Sequence, residues 1–353
     1  EQITQLDNAD VAALTTAQLI TLTTDQVAAL TSDQIVAMTG AQVASLTTAQ
    51  VFNLTTTQIA ALETNDLRSL TTLQASVLTS EQIESLSSTQ FAALETVDLR
   101  AVAPASLAGL VERVAPDLVV NAAAYTAVDR AETERDLAFR VNAEAPGLLG
   151  QACAKAGIGL VHFSTDYVFD GRQSRPWRED DPTGPLGVYG QSKLAGEQAI
   201  RASGAAHKIF RLCWVYGPRG HNFLLTMLRL GKERGQLRVV DDQRGTPTSA
   251  RRIAAGVAGA LQVVPAASGT WHLAAEGECS WFDFAGEIFR QAVARGLLDR
   301  APVLEAIPGS EFPTPARRPA YSRLDTGAFT RDTGLHLGDW REGLAEALDA
   351  LAR

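Results

Sequence analysis

The sequence has no run of about 18 consecutive apolar residues, which is the length that a membrane-spanning helix needs. Its first residues also lack a basic stretch followed by an apolar one, so no secretory signal peptide is predicted. Only three cysteines occur among 353 residues, Cys153, Cys213 and Cys279, and none has the spacing of paired metal ligands. We therefore expect buried free thiols, no membrane span and a reducing, cytoplasmic location.

The N-terminal part of the chain lacks most of the side chains that carry out chemistry. No His, Cys, Lys, Trp or Tyr occurs before residue 100. Residues 1–98 contain 11 Asp and Glu but a single Arg, a net charge of −10, whereas the rest of the chain is close to +1. A nearly neutral remainder without clustered Lys and Arg gives no reason to expect nucleic-acid binding. The first 98 residues are therefore predicted to be a scaffold or interaction module and not an active site.

The same N-terminal part repeats a pattern of eight residues, as in LTTDQVAA from Leu22 and LTTAQVFN from Leu46. Within a unit, Thr23 and Gln26 have the spacing of a capping box, in which each side chain binds a free backbone N–H at the start of a helix. A continuous helix would rotate the repeated leucines by about 80° per unit, so they would not share one face. The pattern therefore predicts a solenoid of short helical turns, with Thr and Gln as structural caps or, alternatively, as a ligand-binding surface.

From Leu107 the sequence changes to alternating helix and strand patterns. A buried strand with the sequence DLVVNAAA begins at Asp117, and helices and further apolar strands follow it in turn. Such alternation predicts an α/β fold, a truncated Rossmann-like parallel sheet with helices on both faces, preceded by the solenoid. We therefore divide the chain into 1–98 and 99–353, with a small substrate-binding part mainly within 217–330.

Three polar residues at the ends of these elements suit the reduction of a ketone. Thr165 ends the predicted strand GLVHFST, while Tyr189 and Lys193 are four residues apart and hence on one face of a helix. Reduction puts negative charge on the ketone oxygen, and a phenol of pKa about 10 donates a proton poorly until a nearby ammonium stabilises its phenolate. Thr165 is expected to hydrogen-bond the same oxygen. The alternative is that Tyr189 and Lys193 are an exposed helical pair without a role in chemistry.

Six segments place these residues in a wider pattern: NAAAYTAVDRAE, HFSTDYVFDG, VYGQSKLAGE, FRLCWVYG, DDQRGTPTSA and RRPAYSRLDT, in that order. From about residue 97 onward the chain resembles the extended short-chain dehydrogenase/reductase family and, within it, the dTDP-4-dehydrorhamnose reductases. The resemblance implies reduction of the 4-keto group of a dTDP-6-deoxyhexose by NADPH or NADH. That reaction is the last step to dTDP-L-rhamnose in nucleotide-sugar and surface-polysaccharide synthesis.

The resemblance also implies roles for individual residues. Tyr189 would be the general acid, Lys193 would orient the nicotinamide ribose and lower the tyrosine pKa, and Thr165 would polarise the carbonyl. The cofactor would lie against a run of small residues after a strand, whose alternative role is tight packing of helix on sheet: Ala122, Ala123 and Ala124. Further contacts to the sugar nucleotide are implied for Asp166, Trp214, Asn222 and Arg318.

No metal site is predicted within one chain, because His162 and His221 have no second histidine or carboxylate at ligand spacing. The resemblance leaves open a homodimer with a magnesium ion between its subunits, for which no motif in this chain supplies ligands. A protein partner that binds through the repeat also stays open.

The glycine-rich turn with which this family's fold begins is not found after any predicted strand. Its Gly-x-x-Gly-x-x-Gly spacing lets backbone N–H groups and a helix N-terminus bind the cofactor diphosphate. Here Gly147 and Gly150 fall in a helical pattern, while Gly157 and Gly159 enter a strand. We infer that the repeat replaces the first two strands and the first helix, with VDLR at 97–100 as a remnant of the third strand.

This combination supports two functions of different class. A reductase, active alone or completed by another chain, is indicated by the set of Thr165, Tyr189 and Lys193. A non-catalytic interaction protein, in which the repeat displays a degenerate sugar-nucleotide domain, is indicated by the missing turn; an artificial fusion is a third origin. In each case, loss of the first strands would leave the DLVVNAAA strand as an exposed, apolar sheet edge.

Overall fold

The computed structural model of the protein describes residues 3–75, 77–87, 90, 109, 111–112, 114–264 and 267–352. The predicted boundary between residues 98 and 99 lies outside these ranges, as does the VDLR segment interpreted as a strand remnant. The division of the chain at that point, and the substrate-binding part within 217–330, stay predictions. Within the described ranges, no helix combines the length and the apolar character needed to cross a bilayer.

Short helices follow one another through the repeat. In the unit that begins at Leu22, the Thr23 side chain accepts the Gln26 N–H at 3.2 Å, and the Gln26 side chain accepts the Thr23 N–H at 2.8 Å. This is the reciprocal capping box that the spacing predicts. After a 3-10 helix at Ile3–Gln5, the helices are α1 (Asn8–Ala13), α2 (Thr16–Leu19), α3 (Thr24–Ala28), α4 (Ser32–Val36), α5 (Gly40–Ser45), α6 (Thr48–Phe52), α7 (Thr56–Ala61), α8 (Thr64–Ser69), α9 (Thr72–Ala75) and α10 (Ser80–Glu84).

Successive coils of the repeat are joined by the glutamine of each capping box. Each helix packs on the third helix after it, α1 on α4 and α2 on α5, so three units form one coil. Gln58 Nε2 donates to the backbone oxygens of Val27 and Leu30, at 2.9 and 2.8 Å. Apolar side chains from all coils fill one continuous core. Equivalent bonds between coils come from Gln42, Gln50, Gln74 and Gln82. The predicted solenoid is therefore confirmed.

The unit that begins at Leu62 breaks this pattern. Glu63 and Asp66 take the places of Thr and Gln, and Glu63 makes no side-chain capping bond. Asp66 is only 6% exposed, and burial raises the pKa of its carboxyl above the ordinary value. A carboxylate has no N–H to donate, so it cannot repeat the glutamine bonds, which in this register would go to the backbone oxygens of Ile35 and Met38.

A parallel sheet organises the second part of the chain. The strands are β1 (Leu118–Asn121), β2 (Gly159–Thr165), β3 (His207–Leu212), β4 (Val215–Tyr216), β5 (Gln236–Val240), β6 (Arg244–Gly245), β7 (Thr248–Ser249), β8 (Gly269–His272), β9 (Cys279–Ser280) and β10 (Val303–Ile307). Four of them pair in parallel in the order β1–β2–β3–β8. Neighbouring residues of one strand pack into different cores, Leu160 on one face of β2 and Val161 on the other. The predicted Rossmann-like sheet is confirmed.

Helices alternate with these strands and cover the sheet. They are α11 (Val128–Ala131), α12 (Arg135–Phe139), α13 (Ala145–Ala156), α14 (Val188–Ala202), α15 (Phe223–Glu233), α16 (Ala250–Val263), α17 (Trp281–Ala294), α18 (Gly327–Thr333) and α19 (Trp340–Leu351). A π-helix at Arg140–Glu144 joins α12 to α13, and 3-10 turns lie at Asp166–Val168 and Gly309–Glu311. Beyond the four-stranded sheet, β5 pairs with β10, and α15, α17 and α19 enclose a separate aromatic core that includes Phe284 and Trp340.

Strand β1 is an edge of the sheet among the described residues, because its pairing there is with β2 alone. Val120, in β1, is 50% exposed, although Leu118 and Val119 before it are also apolar. An apolar strand with unpaired backbone groups is prone to pair with another chain. In the described part of the sheet, β1 is therefore an edge strand, as expected if the first strands of the family's fold are lost.

Candidate active site

The three residues predicted to carry the chemistry lie where β2 meets α14. Thr165 is the last residue of β2, and Tyr189 and Lys193 lie in the first two turns of α14. The Tyr189 phenol lies beside the Thr165 hydroxyl, and Thr165 Oγ1 donates to Asp166 Oδ1 at 2.9 Å. Lys193 Nζ donates to the backbone oxygen of Phe163 at 2.6 Å. The structure therefore brings Thr165 and Tyr189 into contact and seats Lys193 against β2.

Burial favours the neutral form of Tyr189 and of Lys193. It raises the pKa of Tyr189 to about 12, although the Thr165 hydroxyl acts in the opposite direction. It lowers the pKa of Lys193 to about 8, against the opposing charge of Glu197. Tyr189 is thus a protonated phenol near neutral pH, which is the form that can donate a proton to a ketone oxygen.

Two glycines let α14 approach the sheet closely enough to place these residues. A Cβ on Gly190 would overlap the backbone oxygen of Tyr167, and a Cβ on Gly196 would overlap that of Asn142. Both clashes are with backbone atoms, which cannot move aside without moving their segments. The helix that carries Tyr189 is therefore held at backbone contact distance from the end of β2.

A Gly-x-x-Gly-x-x-Gly spacing does occur in the chain, at Gly184, Gly187 and Gly190, and sequence reasoning did not recognise it there. It leads into α14 and does not follow a strand. Glu132 Oε1 accepts the Val188 N–H at 2.8 Å, so a carboxylate of the protein itself already binds this helix N-terminus. These glycines therefore shape the start of α14 and do not have the setting of a diphosphate-binding turn.

A buried amide also holds α14 in place. Asn142, in the π-helix, donates from Nδ2 to the Tyr125 backbone oxygen and to Ser192 Oγ, both at 3.0 Å, and accepts the Tyr125 N–H at 2.8 Å. Ser192 lies on α14 between Tyr189 and Lys193 and donates to the Tyr189 backbone oxygen at 2.8 Å. Sequence reasoning missed Asn142 and Glu132. Glu132 stands in a quoted motif, but nothing in the sequence shows which helix it caps.

The residues predicted to contact the cofactor or the keto group lie at the same end of the sheet. Ala122, Ala123 and Ala124 follow β1 directly, and Ala122 is exposed. Asp166 lies beneath Thr165, where Cys213 Sγ donates to its Oδ2 at 3.4 Å, and burial raises its pKa to about 6. Asp166 is 2% exposed, so its visible contacts are with the protein.

Trp214 and Asn222 make contacts within the protein that their predicted roles do not describe. Trp214 has a positive φ of 44° and stacks on Trp281 with ring centroids 3.5 Å apart and planes 7° apart. Asn222 caps α15: its Oδ1 accepts the Leu225 N–H at 3.2 Å, and its Nδ2 donates to the Gly217 backbone oxygen at 2.9 Å. Their binding of a sugar nucleotide stays a prediction.

Arg318, predicted to lie near a diphosphate, is bound by a carboxylate. Its two terminal nitrogens donate to Asp129 Oδ1 and Oδ2 at 3.0 and 2.9 Å, which joins the loop before β-bridge residue Tyr321 to helix α11. This pair holds the pKa of Asp129 below its ordinary value. A diphosphate would have to share or displace the carboxylate, so this role of Arg318 also stays a prediction.

Neither a cysteine-based nor a metal-based reaction centre is found in the described part of the chain. Cys153, Cys213 and Cys279 are buried free thiols. Within the same residues, no three His, Cys, Asp or Glu side chains are grouped so that they could hold a metal ion. The magnesium ion that the resemblance leaves open between subunits stays unassigned.

Two family models match the chain. The model described as the RmlD substrate binding domain matches residues 70–353, and the model described as the ALTTAQ repeat matches residues 3–40. The first match begins inside the repeat. It spans about four-fifths of the 353 residues and includes all three residues that meet at β2 and α14.

Curated relatives and solved structures agree with that match. The dTDP-4-dehydrorhamnose reductase of Escherichia coli K12 is 44% identical over 251 residues, 70% of this chain and 84% of that protein. The protein of the same name from Burkholderia thailandensis is 47% identical over 249 residues, 67% of this chain and 83% of that protein. About one-sixth of each relative therefore has no counterpart in the match.

Among solved structures, a dTDP-4-dehydrorhamnose reductase from Clostridium acetobutylicum is 38% identical with a TM-score of 0.66, and covers 70% of this chain and 85% of that one. The enzyme of Bacillus anthracis, solved in complex with NADP, is 35% identical with the same TM-score and coverage. The family-model match at residues 70–353 includes the sheet, α14 and Thr165, Tyr189 and Lys193. The chain therefore belongs to the dTDP-4-dehydrorhamnose reductase family.

Proposed function

We propose that this chain reduces the 4-keto group of a dTDP-6-deoxyhexose with a nicotinamide nucleotide, as its family members do. The observation that carries the proposal is the contact between Tyr189 and Thr165 at the end of β2, with Lys193 seated one helical turn away. A ketone whose oxygen faces both hydroxyls would receive two hydrogen bonds. Proton transfer from a well-placed acid of this kind contributes about 100- to 10,000-fold to a rate.

The protonation of Tyr189 and the hydrogen bond of Thr165 set the role of each hydroxyl. Thr165 Oγ1 donates to Asp166 Oδ1 at 2.9 Å, and Tyr189 beside it is a protonated phenol near neutral pH. A substrate oxygen placed next to Tyr189 then takes its proton as hydride reaches the carbonyl carbon. Thr165 stays beside that oxygen, where a rotated hydroxyl stabilises the developing charge.

The residues fit one end of a nicotinamide nucleotide. Tyr189 and Lys193 offer a hydroxyl and an amine at the end of the sheet, and Ala122, Ala123 and Ala124 are small enough for close approach of a ring and ribose. The nucleotide supplies the hydride when it is bound. We propose NADPH first, because a related structure holds NADP, with NADH as the alternative.

The described residues do not fit the other end of the nucleotide. No strand lies beyond β1 among them, and the glycine triplet before α14 faces Glu132. Backbone N–H groups normally supply a diphosphate with several charge-assisted hydrogen bonds, each worth about 1.5–3 kcal/mol. The absence of such a turn lowers the expected affinity for the cofactor by orders of magnitude.

This mismatch favours one other candidate, a non-catalytic interaction protein that displays a sugar-nucleotide domain on a repeat scaffold. The exposed edge at Val120 supports it, since an active enzyme of this family needs strands at that edge to hold the cofactor.

In either case we propose that the dTDP-sugar contacts Asp166, Trp214, Asn222 and Arg318. We also propose a cytoplasmic location, a homodimer, and a protein partner for the repeat; no nucleic acid is expected.

The experiment that tests the proposal is titration of the full chain with NADPH, followed by nucleotide fluorescence or heat. We expect binding that is lost in Lys193→Ala and retained in Lys232→Ala, which removes an exposed lysine of α15. Turnover of the dTDP-4-keto sugar should then fall by about 100-fold or more in Tyr189→Phe, with nucleotide binding retained. No binding up to millimolar NADPH would reject the reductase for the isolated chain and favour the scaffold.

A further inference from the structure

Three buried polar side chains form a row from the sheet edge to the catalytic helix. Asn121 and His162 are partners in the pairing of β1 with β2, and Asn121 Nδ2 lies 3.1 Å from His162 Nδ1. His162 Nε2 in turn lies 3.4 Å from Lys193 Nζ. All three are less than 9% exposed, and His162 is fully buried. Neither Asn121 nor His162 has a part in the reaction as argued above.

The orientation of the Asn121 amide fixes the position of the proton on His162. Asn121 Oδ1 accepts the Ala123 N–H at 3.2 Å, so rotation of the amide would place its NH₂ group against that N–H. Asn121 Nδ2 must therefore donate to His162 Nδ1. A neutral imidazole has one N–H and one acceptor nitrogen, and burial keeps His162 neutral by holding its pKa well below the ordinary value. The proton of His162 is consequently on Nε2.

This tautomer determines which protonation state of Lys193 fits the cofactor-free protein. The Nε2–H of His162 points at Lys193 Nζ, and an ammonium group, which has only donors, cannot accept it. A neutral amine can accept that N–H with its lone pair and still donate to the Phe163 backbone oxygen at 2.6 Å. We propose that Asn121 and His162 are positioning residues that hold Lys193 as a neutral amine in the cofactor-free protein, and so remove positive charge from beside Tyr189.

The charged groups around Lys193 are compatible with a neutral amine. Glu197, one turn further along α14, would favour the ammonium, but its carboxylate is bound by Arg211 from β3 at 2.8 and 2.9 Å and by Arg201 at 2.8 Å. Tyr189, four residues earlier on the same helix, is a protonated phenol and adds no charge. Burial acts in the same direction, because it lowers the pKa of Lys193 to about 8.

A neutral lysine also sets the protonation state of Tyr189 before the cofactor binds. Without a positive charge nearby, Tyr189 keeps its proton, which is the state that a proton donor to a ketone must start from. The cofactor-free site therefore disfavours the Tyr189 phenolate, and the ammonium that would lower the Tyr189 pKa during proton transfer is not yet present. This consequence rests on the proposed function, whereas the tautomer of His162 and the charge of Lys193 do not.

The first test measures the wild-type chain without cofactor or substrate, so failure of the proposed function leaves it unaffected. Nitrogen-15 NMR of histidine-labelled full-length protein distinguishes a protonated Nε2 from a protonated Nδ1. We expect Nε2–H for His162. A signal from Nδ1–H would overturn the proposal without any variant.

The second test inverts the tautomer with Asn121→Asp. One Asp oxygen can still accept the Ala123 N–H, while the other accepts from Nδ1 of His162 and moves the proton there, which leaves Nε2 as an acceptor for an ammonium. We expect the NMR titration midpoint of Lys193 to rise by at least about one pH unit, a tenfold change in proton affinity. A midpoint that does not move would contradict the proposal.

A double-variant cycle separates this effect from the added charge of the aspartate. In a His162→Phe background there is no imidazole to relay the change, so Asn121→Asp should no longer move the Lys193 midpoint. If the same rise persists there, the aspartate acts through space and the relay is wrong. A purely structural role for His162 would change stability in both backgrounds without this difference in titration.

Discussion

Replacement of Asp66 by Gln should stabilise the repeat, because it completes the row of amides that joins the coils. In neighbouring units the glutamine at this position donates to two backbone oxygens, 31 and 28 residues earlier, at 2.9 and 2.8 Å for Gln58. The equivalent oxygens for residue 66 belong to Ile35 and Met38. A buried carboxylate beside them loses its hydration and donates no hydrogen bond in return.

The expected gain follows from the bonds restored. Two neutral hydrogen bonds at about 0.5–1.5 kcal/mol each give about 1–3 kcal/mol of additional free energy of unfolding for Asp66→Gln. Removal of a desolvated carboxylate adds to this in the same direction. For a structure of about 60–100 residues, each kcal/mol moves the melting temperature by about 4–8 °C. A rise of at least about 4 °C is therefore expected.

The chain has a built-in control for this assay, because its five tryptophans all lie beyond residue 100. Far-UV circular dichroism follows both parts of the molecule, whereas tryptophan fluorescence follows the second part alone. Asp66→Gln should raise the repeat transition seen by circular dichroism and leave the fluorescence transition unchanged. Asp33→Asn, which removes the same charge from an exposed position of another unit, should give no stabilisation.

The pH dependence gives the result that would refute the reasoning. Burial raises the pKa of Asp66 above 3.8 in the folded state. The destabilisation by its buried carboxylate is therefore absent below pH 3.8 and appears as the pH rises through the raised pKa. The gain from Asp66→Gln should therefore be larger near about pH 7 than near about pH 3.5. An unchanged or lower melting temperature near neutral pH would show that the glutamines do not hold the coils together.

Three further changes test how α14 and the sheet edge are held. Gly190→Ala should lower the free energy of unfolding by at least about 2 kcal/mol and lower turnover, because the added methyl group overlaps backbone atoms. Its control is Gly235→Ala, whose methyl group enters open space and should leave the urea titration unchanged. Glu132→Gln should destabilise α14 by about 1 kcal/mol, because the charged cap at the Val188 N–H is lost. Hydrogen exchange should show this as weaker protection of the amides in the first turn of α14. Val120→Lys, on the exposed edge, should reduce self-association in sedimentation velocity without lowering stability; undiminished association would place the contact elsewhere.

The form of the solenoid could be predicted from the sequence, but the number of units in each coil could not. The Thr-x-x-Gln spacing identifies a capping box because both partners lie in one unit, as in Thr23 and Gln26. Packing of α1 on α4 depends on the angle between successive short helices, which the repeated letters do not encode. The hydrogen bonds that each glutamine donates to the neighbouring coil can be predicted only when that stacking is known.

At the active site, residues on one element were predictable and contacts between elements were not. The spacing of Tyr189 and Lys193 fixes a shared helix face, and the strand end fixes Thr165 beside them. Sequence reasoning had no means to pair Asn121 with His162, since that contact depends on the register of β1 against β2. The glycine triplet at Gly184–Gly190 shows the reverse problem, because a familiar spacing carries a different role when the segment before it is not a strand.

The site is held together by parts of the chain that do not depend on the missing strands. Glu132 caps α14, Asn142 ties it to the loop after β1, and Gly190 seats it on β2. All these contacts join residues that follow β1 in the chain, so the geometry of Thr165 and Tyr189 can persist where the diphosphate site cannot. Catalytic geometry and cofactor affinity are therefore separate properties of this fold, and a preserved catalytic set alone does not establish turnover. Binding of NADPH, and not the arrangement of Tyr189 and Lys193, decides between reductase and scaffold.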